Sequence, residues 1–141
     1  MSSFSDQLET AETLAESDLE GALQALDAMR SGLSPEQLSQ LHLQKASFTA
    51  RLGKLDAAIE ELVVAEAFAN TSGRLDVAME IRVTRASILA ALGKYGDAIP
   101  MLKAVVKTLE SHPELSQLRA DATAELRSYE SLVSPKPLGG R

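Results

Sequence analysis

The sequence predicts an all-helical chain of stacked antiparallel helix pairs, on three observations. Apolar residues recur three and four apart through most of the length, and no segment alternates apolar and polar residues with the β-branched and aromatic bias of a strand. The hydrophobic fraction is 45% but the aromatic fraction only 4%. The core must therefore be made of Ala, Leu, Val and Ile, which suit closely spaced helices. Finally, "ARLGKLDAAIEEL", starting at Ala50, returns as "AALGKYGDAIPML", starting at Ala90. About seven helices are expected.

In chain order, Phe4, Leu8, Ala11, Leu14 and Ala15 form the stripe of a first helix. Ser17 with Glu20 reads as a capping box for a second, carrying Leu19, Ala22, Leu23, Leu26 and Met29 and stopping near Gly32. "Ser34-Pro35-Glu36-Gln37" starts a third with a Ser cap and Pro in the first turn. Its stripe, Leu38, Leu41, Lys45, Ala46, Phe48 and Leu52, runs to Gly53. Asp56 is placed to cap a fourth helix that ends at "Asn70-Thr71-Ser72-Gly73". A fifth covers Leu75 to Leu92 and closes at Gly93. Asp97 is placed to cap a sixth, with Pro100 in its first turn, where Pro is tolerated. "Ser111-His112-Pro113-Glu114" begins a seventh, carrying Leu115, Leu118, Ala122, Leu126, Tyr129 and Leu132. The tail "SPKPLGGR" is expected to be disordered.

A shift of 40 superimposes Ala46 on Ala86, Ser47 on Ser87, Leu52-Gly53-Lys54 on Leu92-Gly93-Lys94, and Ala58, Ile59 and Leu62 on Ala98, Ile99 and Leu102. A period in this range marks a helix-turn-helix solenoid. The glycines supply the tight turns, the alanines let paired helices approach, and the larger residues fill the space between neighbouring pairs. On Ala46, Gly53, Leu55, Ala58, Leu62 and Ala65, and again on Ala86, Gly93, Tyr95, Ala98, Leu102 and Val105, the stretch from Leu38 to Glu110 resembles two tetratricopeptide repeats. The period is that of a longer-helix variant, about 40 residues. "DLEGALQAL" matches "KLDAAIEEL" at a shift of 36 and reads as a degenerate first copy. The resemblance implies a right-handed solenoid forming a single domain over residues 1–133. It comprises a degenerate repeat at 4–33, repeats at 34–73 and 74–112, and a capping helix at 113–133; residues 134–141 are the tail.

At 141 residues the chain fits one domain. It has no Cys, hence no disulfide, thiolate nucleophile or Cys-ligated zinc, which fits a reducing compartment. The net charge of −6 argues against binding to nucleic acid, which requires a basic stripe. The N-terminus has neither basic flank nor apolar stretch, so no signal peptide is expected, and no run approaches a membrane span. The expectation is a cytoplasmic protein without membrane insertion. His42 and His112 lie far apart with no carboxylate set arranged around either, so no metal site is expected. The carboxylates of "IEELVVAE" fall at helical surface spacing and read as a solvated face. No nucleophile elbow, phosphate loop or dinucleotide fingerprint is present, so neither enzyme activity nor a cofactor is expected.

The tetratricopeptide resemblance implies binding instead. In that family the first helix of each pair lines a concave groove that takes extended peptides or partner helices. Carried across, the groove positions are Gln40, Leu43, Ser47, Ala50 and Arg51, then Glu80, Val83, Ser87, Ala90 and Ala91. On the last helix Thr123 and Arg127 face inward under either of two registers, and Arg119 under one. Leu43 and Val83 would supply apolar burial, and arginine can clamp a carboxylate or carbonyls by forked hydrogen bonds. The competing reading packs Leu43 and Val83 against adjacent helices and leaves the arginines as solvated charges. Gln40, Gln44, Glu80 and Thr84 stand where some family members carry a terminal-carboxylate clamp of Lys and Asn, so that clamp is absent. The expected function is a non-enzymatic adaptor or scaffold for another protein. Self-association as a homodimer through Val63, Val64 and Phe68 is the alternative, and a sensor of a signalling peptide or small ligand ranks third.

Overall fold

The structure is a computed structural model and describes residues 3–29 and 31–133. The predicted tail lies outside the described residues. These contain seven α-helices and no strand. The helices are α1 (Phe4–Ala15), α2 (Leu19–Asp27), α3 (Pro35–Arg51), α4 (Leu55–Thr71), α5 (Leu75–Ala91), α6 (Tyr95–Leu109) and α7 (Ser116–Val133), with a 3-10 turn at Pro113–Leu115 before α7. They form TPR-like antiparallel pairs. The chain divides into two compact units, Met1–Ile81 and Arg82–Arg141, whose boundary falls inside α5.

Turn chemistry explains the pairing. Gly53 has φ +83° and Gly93 φ +78°, a region only glycine enters without steric cost. At the first turn the Gly53 N–H donates to Ala50 O at 2.9 Å and the Lys54 N–H to Thr49 O at 3.1 Å. At the second, Gly93 donates to Ala90 O at 2.9 Å and Lys94 to Leu89 O at 2.8 Å. Both are Schellman closures, which satisfy the last carbonyls of one helix while reversing the chain.

Those closures also correct the expected caps. Lys54 and Lys94, not Asp56 and Asp97, occupy the N-caps of α4 and α6, without a side-chain cap bond. The next helix starts immediately after the turn, leaving Asp56 and Asp97 inside the first turn, where a carboxylate still favours the positive end. Pro100 is therefore in the second turn of α6, not the first. The carbonyl it leaves without a donor belongs to Gly96, and both residues are exposed, so water can replace the bond. In the N-terminal pair Asp18, rather than Ser17, caps α2, its Oδ1 accepting from Gly21 N–H at 2.9 Å. The Ser17 hydroxyl instead donates back to Leu14 O at 3.4 Å. Helix α2 ends at Asp27, about a turn before Gly32. Ser34 caps α3 as expected, and Gln37 reaches back to complete a capping box.

In the first unit Ala11, Ala15, Ala22, Leu26, Leu41 and Phe48 form a buried cluster, flanked by half-buried residues such as Leu8, Leu19 and Leu38. Helices α3 and α4 pack along their lengths, with Ala46 and Ala58 fully buried. In the second, α6 packs on α7, and Ala98, Leu102, Val105, Leu109 and Ala122 are buried. Ala22, Ala58 and Ala98, with Leu26, Leu62 and Leu102, are all fully buried, so the second helix of each pair buries the same two positions.

Candidate functional site

In the first unit α3 turns two faces to different tasks. One carries Gln40, Leu43, Ser47 and Arg51, spaced three and four apart. Gln40 and Leu43 are half-buried, while Ser47 and Arg51 are exposed. Gln40 also borders a cleft with Ser3, Phe4, Ser34 and Gln37 at the starts of α1 and α3. Arg51 already has work to do. Its Nη2 donates to Ala15 O at 3.4 Å, and its guanidinium lies 5.7 Å from the Phe48 ring centroid. It thereby satisfies a carbonyl at the end of α1 and stacks on its own helix.

The other face of α3 holds a charged cluster that sequence reasoning missed. Lys45, whose side chain is 9% exposed, lies with Nζ 2.8 Å from Asp27 Oδ1 and 3.3 Å from Glu61 Oε1. His42 Nδ1 lies 2.7 Å from Glu61 Oε2, a contact a carboxylate makes with an N–H, so Nδ1 carries the hydrogen. The imidazole stacks on Phe68, centroids 5.7 Å apart and planes 15° off parallel. The expectation of a fully solvated carboxylate face on α4 is corrected at Glu61, which turns inward because α3 offers two buried donors. The signal was the Lys45 charge within an apolar stripe, three residues after His42. Phe68, expected to be surplus apolar surface, is half-buried against that histidine. Val63 and Val64 are 50% and 40% exposed.

Glu80, near the end of the first unit, is exposed. In the second unit Val83 and Ser87 are half-buried. Ser87 hydrogen-bonds Tyr129, whose hydroxyl donates to Glu125 Oε1 at 2.7 Å and whose ring meets Tyr95 edge-on at 5.6 Å. Burial first, then the Glu125 carboxylate, pushes the Tyr129 phenol up to about 12. On α7, Arg119, Thr123 and Arg127 lie along one face and border a single open cleft of about 360 Å³ with Ser116, Ala120 and Ala124. Thr123 returns its hydroxyl hydrogen to Arg119 O at 2.8 Å. Thus Arg119, Thr123 and Arg127 share a surface, while Ser87 and Arg51 are partly committed to internal bonds.

Among the described residues no three His, Asp or Glu side chains are grouped to hold a metal ion, and no helix is long and apolar enough to cross a membrane. No family model and no curated protein matches the chain. Among solved structures it is similar to SycD, the type III secretion translocator chaperone of Yersinia enterocolitica. The TM-score is 0.65 over 91% of this chain and 86% of that one, at 18% identity. At that identity the likeness is one of fold.

Proposed function

We propose that this protein is a non-enzymatic adaptor that holds a peptide or helical segment of another protein against the first helix of its helix pairs, in the manner of long-repeat tetratricopeptide proteins. The observation that carries this reading is the fold likeness, across nine-tenths of the chain, to a protein described as a translocator chaperone. Half-buried Leu43 and Val83 add apolar contact beside exposed Ser47 and Glu80, a mixture suited to a partner that buries side chains at some positions and hydrogen-bonds at others. Helical repeats serve this purpose because their shape comes from stacking, which leaves the outward positions free to vary.

Affinity capture from lysate of the native host, with bound proteins identified by mass spectrometry, tests the reading. Leu43→Glu with Val83→Glu should abolish recovery of a partner that wild type retains, while the circular-dichroism melt stays put. Equal recovery by both proteins would remove these faces from the interface.

The exposure of Val63 and Val64 on α4 supports a second reading, a homodimer through that face. Light scattering decides it: Val64→Glu should halve the mass in solution, and a wild type already monomeric at high concentration rules the dimer out.

A further inference from the structure

We infer that the α7 face is a docking site for an extended acidic peptide segment carrying two side-chain carboxylates four residues apart, one for Arg119 and one for Arg127. The inference rests on the adaptor reading and names the chemistry of the partner at one of its faces.

Charge is the first argument. Every carboxylate of α7 has a partner within the protein. Asp121 accepts from Gln117 Nε2 at 2.9 Å, Glu125 from the Tyr129 hydroxyl at 2.7 Å, and Glu130 lies 3.7 Å from Lys103 Nζ. The two arginines of the same helix are exposed, and neither guanidinium has an ion pair or hydrogen bond among the described residues. In a chain of net charge −6, two guanidinium groups on one face have been left unneutralised while acids abound. The complement of that face is anionic, and the forked donors of arginine match carboxylates.

Shape is the second. Arg119 and Arg127 are eight residues apart, about 12 Å along the axis at 1.5 Å per residue. Between them Ala120, Thr123 and Ala124 keep the floor of the cleft low. In an extended segment every second side chain points the same way, and four residues span about 13 Å. Acids at the first and fifth positions therefore reach the two arginines, while the third residue drops onto the small-residue floor.

The test uses the full chain and an acetylated, amidated peptide with the core E-V-A-V-E between glycines, so that no terminal carboxylate contributes. Amide chemical-shift perturbation at low salt should map binding to α7. It should weaken about tenfold or more for the Q-V-A-V-Q peptide and for Arg119→Glu with Arg127→Glu, and it should weaken for a peptide with its acids two apart. Arg119→Lys with Arg127→Lys should retain part of the affinity, since charge persists without the fork. Both arginines are exposed, so an unchanged melt is expected to accompany the charge reversal. Equal binding by the charge-reversed protein, indifference to acid spacing, or tighter binding of polyphosphate would overturn the inference. The Leu43→Glu/Val83→Glu variant separates the two claims. If partner capture depends on Leu43 and Val83 while the acidic peptide fails to bind, this inference fails and the adaptor reading stands. If the peptide binds α7 while capture ignores Leu43 and Val83, the reverse holds.

Discussion

Lys45 and Glu61 illustrate how a single charged residue changes the account of a helix. With its amine held between Asp27 and Glu61, Lys45 ties α3 to both α2 and α4, and His42 adds a second bond to the same Glu61. Such clusters are unforgiving when one member goes, because the others stay buried with a partner missing. Glu61→Ala should therefore cost about 2 kcal/mol in urea denaturation, since Lys45 keeps Asp27 while His42 loses its acceptor. Replacing His42, Lys45 and Glu61 together by Leu, Met and Leu should recover most of that loss, because no donor is then left stranded. A Glu61→Ala protein as stable as wild type would show that water satisfies the site. Apolar periodicity assigned Lys45 to the inward stripe, but which carboxylate would meet it depends on how α2 and α4 lie beside α3, and no local pattern encodes that.

The helix-to-helix turns were the most legible feature of the chain at the scale of its elements. Gly53 and Gly93 sit where the repeat places them and adopt the left-handed conformation. An added Cβ at Gly53 meets nothing within 4 Å, so the cost of Gly53→Ala is conformational alone, about 1–2 kcal/mol. Gly96 offers the opposite case, a glycine in the first turn of α6 with ordinary φ and equally open surroundings. There the same change to Ala should stabilise by about 0.5–1 kcal/mol. Denaturation midpoints moving in the same direction for both variants would refute this account of the turns. Helix starts were less legible than helix stops. The aspartates at 56 and 97 look like caps in sequence, but the Schellman closure draws the preceding lysine into that place.

For the whole molecule the pH profile of stability gathers contributions from distant places. Arg74 binds Asp76 through Nε and Nη2 at 3.0 and 2.9 Å and also pairs with Glu36, so it joins the start of α5 to the start of α3. The hydrogen bonds from Arg74 hold the Asp76 carboxyl below its ordinary value of 3.8. A depressed carboxyl contributes stability above that value and loses it as pH falls through the lower, folded one. Tyr129 governs the other limb. Its phenol is raised from 10.0 to about 12, so within that window the unfolded chain sheds a proton that the folded chain keeps, and stability falls as pH rises. Tyr129→Phe should flatten this alkaline decline in urea midpoints taken across the window. An equally steep decline in the variant would assign the effect to other groups.

The sequence by itself determined that the chain is helical, where its helix pairs turn and which residues pack inside them. Those properties depend on contacts a few positions apart, on the 3.6-residue period and on the conformational freedom of glycine. Ala58 and Leu62 announced their burial through their copies at 98 and 102, because equivalent places in successive helix pairs select equivalent residues. Only the tertiary structure decided which polar groups are spent internally and which stay open to solvent. Arg51 and Arg127 look alike in sequence, yet one reaches a carbonyl of α1 and the other borders an open cleft. The difference lies in what the neighbouring helix presents at hydrogen-bonding distance, and that distance is set by packing between segments far apart in the chain.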